Sequence, residues 1–282
     1  DKVIAHLEKL HGENPEKPFF IYVPFTSPHT PHSSPDWVED TLPGVQLVDK
    51  KRIRLINYMD IEIGRILKTL DSLGIAGNTI VVFTSDNGAH DLTMSETGHT
   101  PHTLKNEDGT YTRFRGQKAD IWEAGTRVPF LVRWPGVVEA NTVDHSSICL
   151  TDWYATFSAI LNYKLPSGEG EDSYSFLPRL LGETAPEPRG PMVLHSSSGA
   201  FAVRKDDYKL LLCGEGSGCG FGGGTKQSIG SLNSALYDLK TNPTETTAKN
   251  LVESEAAIRT ELYATLSKIQ DEGRSAPAER NE

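Results

Sequence analysis

Cysteine is scarce in this 282-residue chain, which holds only Cys149, Cys213 and Cys219. Three are too few for a disulfide framework, and their spacing fits no paired metal-ligand pattern. Cys213 and Cys219 either close a small loop in an oxidising compartment or stay as buried thiols; the sequence leaves both open. Cations are also in deficit, with 28 Lys and Arg against 38 Asp and Glu and a formal net charge of -10. That balance excludes a broad nucleic-acid surface, whose affinity comes from clustered Lys and Arg. No apolar run approaches the ~20 residues a membrane span needs, and no cationic stretch followed by an apolar one opens the chain. What is present, 37% hydrophobic and 23% charged residues without low-complexity blocks, suits a globular protein of one large or two ordinary domains.

Hydrophobic periodicity organises the chain. Val3, Ile4, Leu7 and Leu10 share a helical face, with Gly12 as the stop signal. The run Phe19-Phe-Ile-Tyr-Val23 between Pro18 and Pro24 predicts a strand buried on both faces. A helix over 51–73 carries Leu55, Ile56, Met59, Ile63, Ile66, Leu67 and Leu70, and a second buried strand follows over 79–85. Strand, helix and strand in succession imply a parallel crossover. Further elements are expected as a strand at 128–134, a helix at 152–161, a Pro- and Gly-rich surface connection over 163–191, and short strands at 192–195, 200–204, 207–213 and 235–239. A closing helix at about 253–270 shows Ile258, Leu262, Leu266 and Ile269 on one stripe. Two regions result, 1–190 and 191–282, the second a small antiparallel sheet with one helix.

Three segments hold residues suited to chemistry. Ser85-Asp86-Asn87-Gly88 stands where the strand 79–85 runs out, the place where open parallel sheets bind ligands. A carboxylate beside an amide oxygen suits a hard cation such as Ca²⁺, though the same residues suit a tight turn. Pro28-His29-Thr30-Pro31-His32 follows the strand 19–23 in the same way; its histidines are either solvated or aimed inward as donors, His29 with the better claim. Between Phe114 and Pro129, Lys118 offers a compact positive charge to a tetrahedral anion, and Arg115 either orders the loop or adds a second donor. A solvated loop with Arg127 paired to Glu123 is the alternative.

In order, these segments resemble the sulfatase family: a strand with a Pro-His-x-Pro loop, a strand ending in Ser-Asp-Asn-Gly, and Arg115-Gly-x-Lys118 leading to Glu123-x-Gly-x-Arg-x-Pro129 and Trp134-Pro-Gly136. Leu150-Thr-Asp-Trp153, Leu177-Pro-x-Leu180 and Leu236-Tyr-Asp-Leu-Lys-Thr-Asn-Pro-Thr-Glu245 extend the likeness over nearly the whole chain. The resemblance implies an alkaline-phosphatase-like α/β fold, a largely parallel sheet between helices, incomplete at the N-terminus, plus the small C-terminal sheet. It implies Asp86 and Asn87 as calcium ligands, His29 as donor to the sulfate or leaving-group oxygen, and Lys118, with Arg115, as sulfate-binding. The implied reaction is hydrolysis of a sulfate monoester by formylglycine, made from the Cys or Ser of a Cys/Ser-x-Pro-x-Arg motif.

No such motif occurs in these residues, nor do the family's N-terminal acidic calcium ligands. The expectation is therefore a chain lacking the N-terminal half of the catalytic domain, inactive by itself, with a weak calcium site and the missing segment or another chain as partner. The resemblance further implies a sulfated glycan or small sulfate ester as substrate and export to periplasm, cell exterior or lysosome. Two alternatives stay open: a phosphate or phosphonate ester hydrolase on the same scaffold, and a non-catalytic binding module.

Overall fold

The computed structural model describes residues 1–41, 50–90, 103–105, 108–183, 189–213 and 234–278. Among them, Asp1–Val82 and Val132–Gly136 form one compact unit and the remaining described residues a second.

In the first unit, α1 (Lys2–Glu13) buries Leu7 and runs through Gly12, where the sequence predicted a stop. It packs on α2 (Lys50–Ser72), which buries Ile53, Leu55 and Leu70 and gives way to Gly74 at φ 71°. The predicted strand at 19–23 does not form. The segment joins no sheet among the described residues, and Phe20 and Tyr22 are 76% and 78% exposed. Apolar content sets a preference for burial, whereas a strand exists only where a neighbour completes its ladder. The crossover expected from it is accordingly absent among the described residues.

Two strands, β1 (Val81–Thr84) and, later in the chain, Phe130–Arg133, pair with each other. Between them come β2 (Thr103–Lys105) and β3 (Tyr111–Arg113), an antiparallel pair the sequence did not suggest, and the short helix α3 (Glu123–Thr126). Phe130–Arg133 is β4. Next, α4 (Trp153–Ile160) and α5 (Leu177–Leu180) share an aromatic cluster in which Trp153 stacks on Phe157 at 4.6 Å and meets Phe176 edge-on at 4.8 Å.

The chain ends in the antiparallel meander β5 (Met192–His195), β6 (Phe201–Lys205), β7 (Tyr208–Leu211) and β8 (Ala235–Asp238), covered by α6 (Ala256–Glu272). Strand alternation gives the sheet two apolar faces. Val203, Leu210 and Leu236 pack with Leu262 and Leu266 of α6. On the other face Ala202, Leu211, Ala235 and Tyr237 pack with Ile121 and Trp122, so the loop before α3 is part of this sheet's core. Cys213, just past β7, is disulfide-bonded to a residue outside the described ones, while Cys149 is free. The Gly-rich 214–224 loop lies outside the described residues.

Candidate active site

β1 ends in Ser85-Asp86-Asn87-Gly88 as the sequence predicted, half-buried rather than fully enclosed. The Asn87 Nδ2 donates to the Gly88 carbonyl at 2.9 Å, which fixes the amide plane and leaves Oδ1 as its acceptor. Asp86 is exposed, and Ser85 Oγ donates to the Asn87 carbonyl at 3.1 Å. Gly88 is buried for a reason other than a sharp turn: a Cβ on it would lie 1.7 Å from the Ala124 carbonyl oxygen. Its N–H donates to Gly125 at 3.0 Å across that close approach.

The segment 114–126 folds back on itself around glycines. Gly116 sits at φ 84°, and a Cβ on Gly125 would come 2.1 Å from the Asp120 carbonyl oxygen. Asp120 Oδ2 accepts the Gln117 N–H at 3.0 Å, and the Ala124 N–H donates to Arg115 at 2.8 Å. Lys118 donates its own N–H to Ala89 at 2.9 Å, one residue beyond Gly88. Two backbone hydrogen bonds, Gly88 to Gly125 and Lys118 to Ala89, thus join the loop carrying Asp86 and Asn87 to the loop carrying Lys118. These bonds bring together the chain segments that carry Asp86, Asn87 and Lys118.

Arg115 has partners within the second unit. Its guanidinium lies 3.7 Å over the Trp122 ring and donates to the Glu245 carbonyl at 3.1 Å. A cavity of about 550 Å³ opens beside it, walled by Arg113, Phe114, Gly116 and Thr244–Thr247. His29 belongs to the first unit, whereas Asp86, Asn87, Lys118 and Arg115 belong to the second. It is exposed, flanked by the cis bonds Ser27–Pro28 and Thr30–Pro31, and its Nδ1 donates to the Thr30 carbonyl at 2.7 Å. His32 is half-buried.

The buried ion cluster escaped the sequence reading. Lys209 of β7, fully buried, lies 3.0 Å from Glu123 Oε1 and 2.9 Å from Glu245 Oε1, the latter as a charge contact rather than an aligned hydrogen bond. Glu245 Oε2 accepts the Glu123 N–H at 2.7 Å, and Arg127 and Arg204 reach Glu123 Oε2 at 3.3 and 3.9 Å. Burial pushes both carboxyls up, but three cations outweigh it at Glu123 and hold its pKa below the ordinary value. At Glu245 burial wins over the single Lys209 and the nearby Glu123 charge raises the pKa further. One sequence signal pointed here: strand alternation puts Lys209 on the same face as Leu211, a cation on an apolar face that requires buried partners.

The oxygen donors of Asp86 and Asn87 fit a hard cation in kind. They supply two of the six to eight oxygens that Ca²⁺ takes, and among the described residues no group of three or more His, Cys, Asp or Glu gathers around a metal position.

The sulfatase family model matches residues 1–163, and the chain belongs to that family. It is similar to the N-acetylgalactosamine-6-O-sulfatase of Bacteroides thetaiotaomicron, 30% identical over 267 residues that cover 90% of this chain and 48% of that protein. The steryl-sulfatase of Rattus norvegicus is 35% identical over 170 residues, 60% of this chain and 27% of its own. A solved structure from Bacteroides thetaiotaomicron, described under the metabolism of multiple glycosaminoglycans, superposes with a TM-score of 0.71 at 27% identity, covering 96% of this chain and 54% of its own. The fold is therefore the alkaline-phosphatase-like α/β fold of sulfatases, incomplete in this chain, which spans about half the length of the bacterial relatives it matches.

Proposed function

We propose that this chain carries the calcium- and sulfate-binding half of a sulfuric ester hydrolase active site. The observation that carries the reading is the pair of backbone hydrogen bonds joining the Asp86-Asn87 loop to the Lys118 loop. Asp86 and Asn87 Oδ1 would hold Ca²⁺, and the ion when bound supplies positive charge against the sulfate oxygens as the ester breaks. Lys118 binds a sulfate oxygen and stabilises charge that grows there in the transition state. His29 is assigned, from the family resemblance of its Pro-His-x-Pro loop, as donor of a proton to the departing oxygen. The nucleophile, a formylglycine, comes from a Cys/Ser-x-Pro-x-Arg motif that these 282 residues do not contain.

The substrate class follows from likeness to the N-acetylgalactosamine-6-O-sulfatase: a sulfated glycan with a sulfate ester on a sugar hydroxyl. Family membership favours this over a phosphate ester hydrolase or a non-catalytic module. The Cys213 disulfide supports an exported protein, because such bonds persist in oxidising compartments.

The test is sulfate release from 4-nitrophenyl sulfate and from a 6-O-sulfated N-acetylgalactosamine oligosaccharide by the protein bearing a segment with the nucleophile motif. Activity is expected, with Lys118→Ala lowering kcat about 10²–10³-fold, as loss of one transition-state donor does. Asp86→Ala is expected to abolish both calcium binding and turnover. Wild-type turnover in either variant overturns the assignment.

A further inference from the structure

The strongest unexplained feature of the second unit is the charge cluster beneath the Lys118 loop. Glu245 is a non-glycine residue at φ 51°, a left-handed backbone that costs free energy for any residue with a Cβ. That conformation delivers its carboxylate into the core, where it has no exposure. There Oε2 takes the Glu123 N–H and Oε1 faces Lys209, so one side chain touches both the first residue of α3 and the centre of β7. A second strained residue stands at the other end of the same link: Ala119, immediately after Lys118, is at φ 76°. Its carbonyl accepts the Ser197 N–H at 2.9 Å from the turn between β5 and β6.

Lys118 is therefore held from two sides. Its own N–H is tied to Ala89 next to the Asp86-Asn87 loop, while the residues after it are tied to the C-terminal sheet at Ala119, Trp122 and Glu123. A buried apolar contact would suffice for cohesion, since replacing buried ions by apolar groups is often neutral or stabilising. Keeping three ionisable groups almost without exposure, one of them on a strained backbone, fixes geometry rather than adding cohesion.

We infer that Glu245, acting with Lys209, is a positioning residue for Lys118, so that the C-terminal segment sets where the sulfate-binding ammonium stands. The inference rests on the role proposed above for Lys118. Glu245 touches no substrate; it works through the Glu123 N–H and the turn 118–125.

Inorganic sulfate is titrated calorimetrically into the wild type, Lys118→Ala, Glu245→Asp and the double variant, and amide exchange is followed in each. Asp tolerates the left-handed backbone and keeps the charge, but its shorter reach draws the carboxylate off the Glu123 N–H. Glu245→Asp is expected to speed exchange at the Lys118 and Ala124 amides and to weaken sulfate binding about tenfold, the scale on which a misplaced group is felt. Because it acts through Lys118, the double variant should bind no more weakly than Lys118→Ala alone. Should shortening prevent folding, Glu245→Gln serves instead. It keeps the length but sets an NH₂ against either the Glu123 N–H or the Lys209 ammonium, and the same readouts should move in the same direction.

Unchanged exchange across 118–125, or losses that multiply in the double variant, overturns the proposal. Wild-type sulfate affinity in Lys118→Ala alone sinks the role of Lys118 and the proposal with it, and is told apart because no change at Glu245 is involved.

Discussion

Gly88 is the residue at which one added methyl group reaches furthest. The Ala124 carbonyl oxygen occupies the space a Cβ would need, so Gly88→Ala must push apart the two loops that carry Asp86 and Lys118. We expect a loss of about 1–3 kcal/mol, the usual cost of overpacking, seen as a lower urea midpoint with an unchanged m-value. Gly74→Ala makes a useful contrast, because its Cβ would meet nothing within 4 Å and only the φ of 71° opposes it. The sequence marked Gly88 as special through its place after a strand and an Asp-Asn pair. The reason was beyond reach, because it depends on a chain segment 36 residues further on. The same holds for Glu245, a surface residue by type whose burial depends on β7 and α3.

At the level of elements, the stretch 163–191 is a surface connection, exposed or half-buried at nearly all its described residues, that is nonetheless anchored. Asp152, 1% exposed at the start of α4, accepts the Cys149 and Tyr174 N–H groups and two guanidinium bonds from Arg189, at 2.7 and 2.8 Å. Arg189 also lies 4.7 Å over the Tyr174 ring, so the stretch is fastened at Tyr174 and Arg189 to the start of α4. Arg189→Ala leaves a buried carboxylate without its cation and should cost about 3–5 kcal/mol in denaturant unfolding. Elements whose apolar residues repeat with a clear period were legible: α2, α6 and the four strands of the meander lie within a few residues of their predicted places. The segment 19–23 was not, since five apolar residues specify a wish for burial without naming the neighbour that supplies it.

For the molecule as a whole, the buried cluster makes stability depend on pH in two opposing ways. Glu123, held below its ordinary pKa, contributes stability that is present above about pH 4.3 and is lost as pH falls through its lowered folded value. Glu245, pushed up, contributes stability present below that ordinary value and lost as pH rises through its raised folded value. Glu245→Gln removes only the second contribution. Relative to the wild type, the variant should gain stability as pH rises from about 4 to 8, whatever constant offset its altered hydrogen bonds impose. Thermal unfolding across that range measures it, and a difference that stays flat or falls would show Glu245 to be fully ionised in the fold.

The sequence by itself determined the periodic elements, the acidic balance of the chain, the lack of an apolar run long enough for a membrane helix, and the residue types from which the proposed calcium and sulfate site is drawn. Those are properties of neighbours along the chain, set by alternation, helical spacing and side-chain chemistry. Only the tertiary structure decided that Lys118 hangs from Ala89 on one side and from the C-terminal sheet on the other, and that Arg115 meets Trp122 and Glu245. Contacts between residues more than a hundred positions apart, such as Glu123 with Glu245, are chosen by how packed elements come together, which no local spacing encodes.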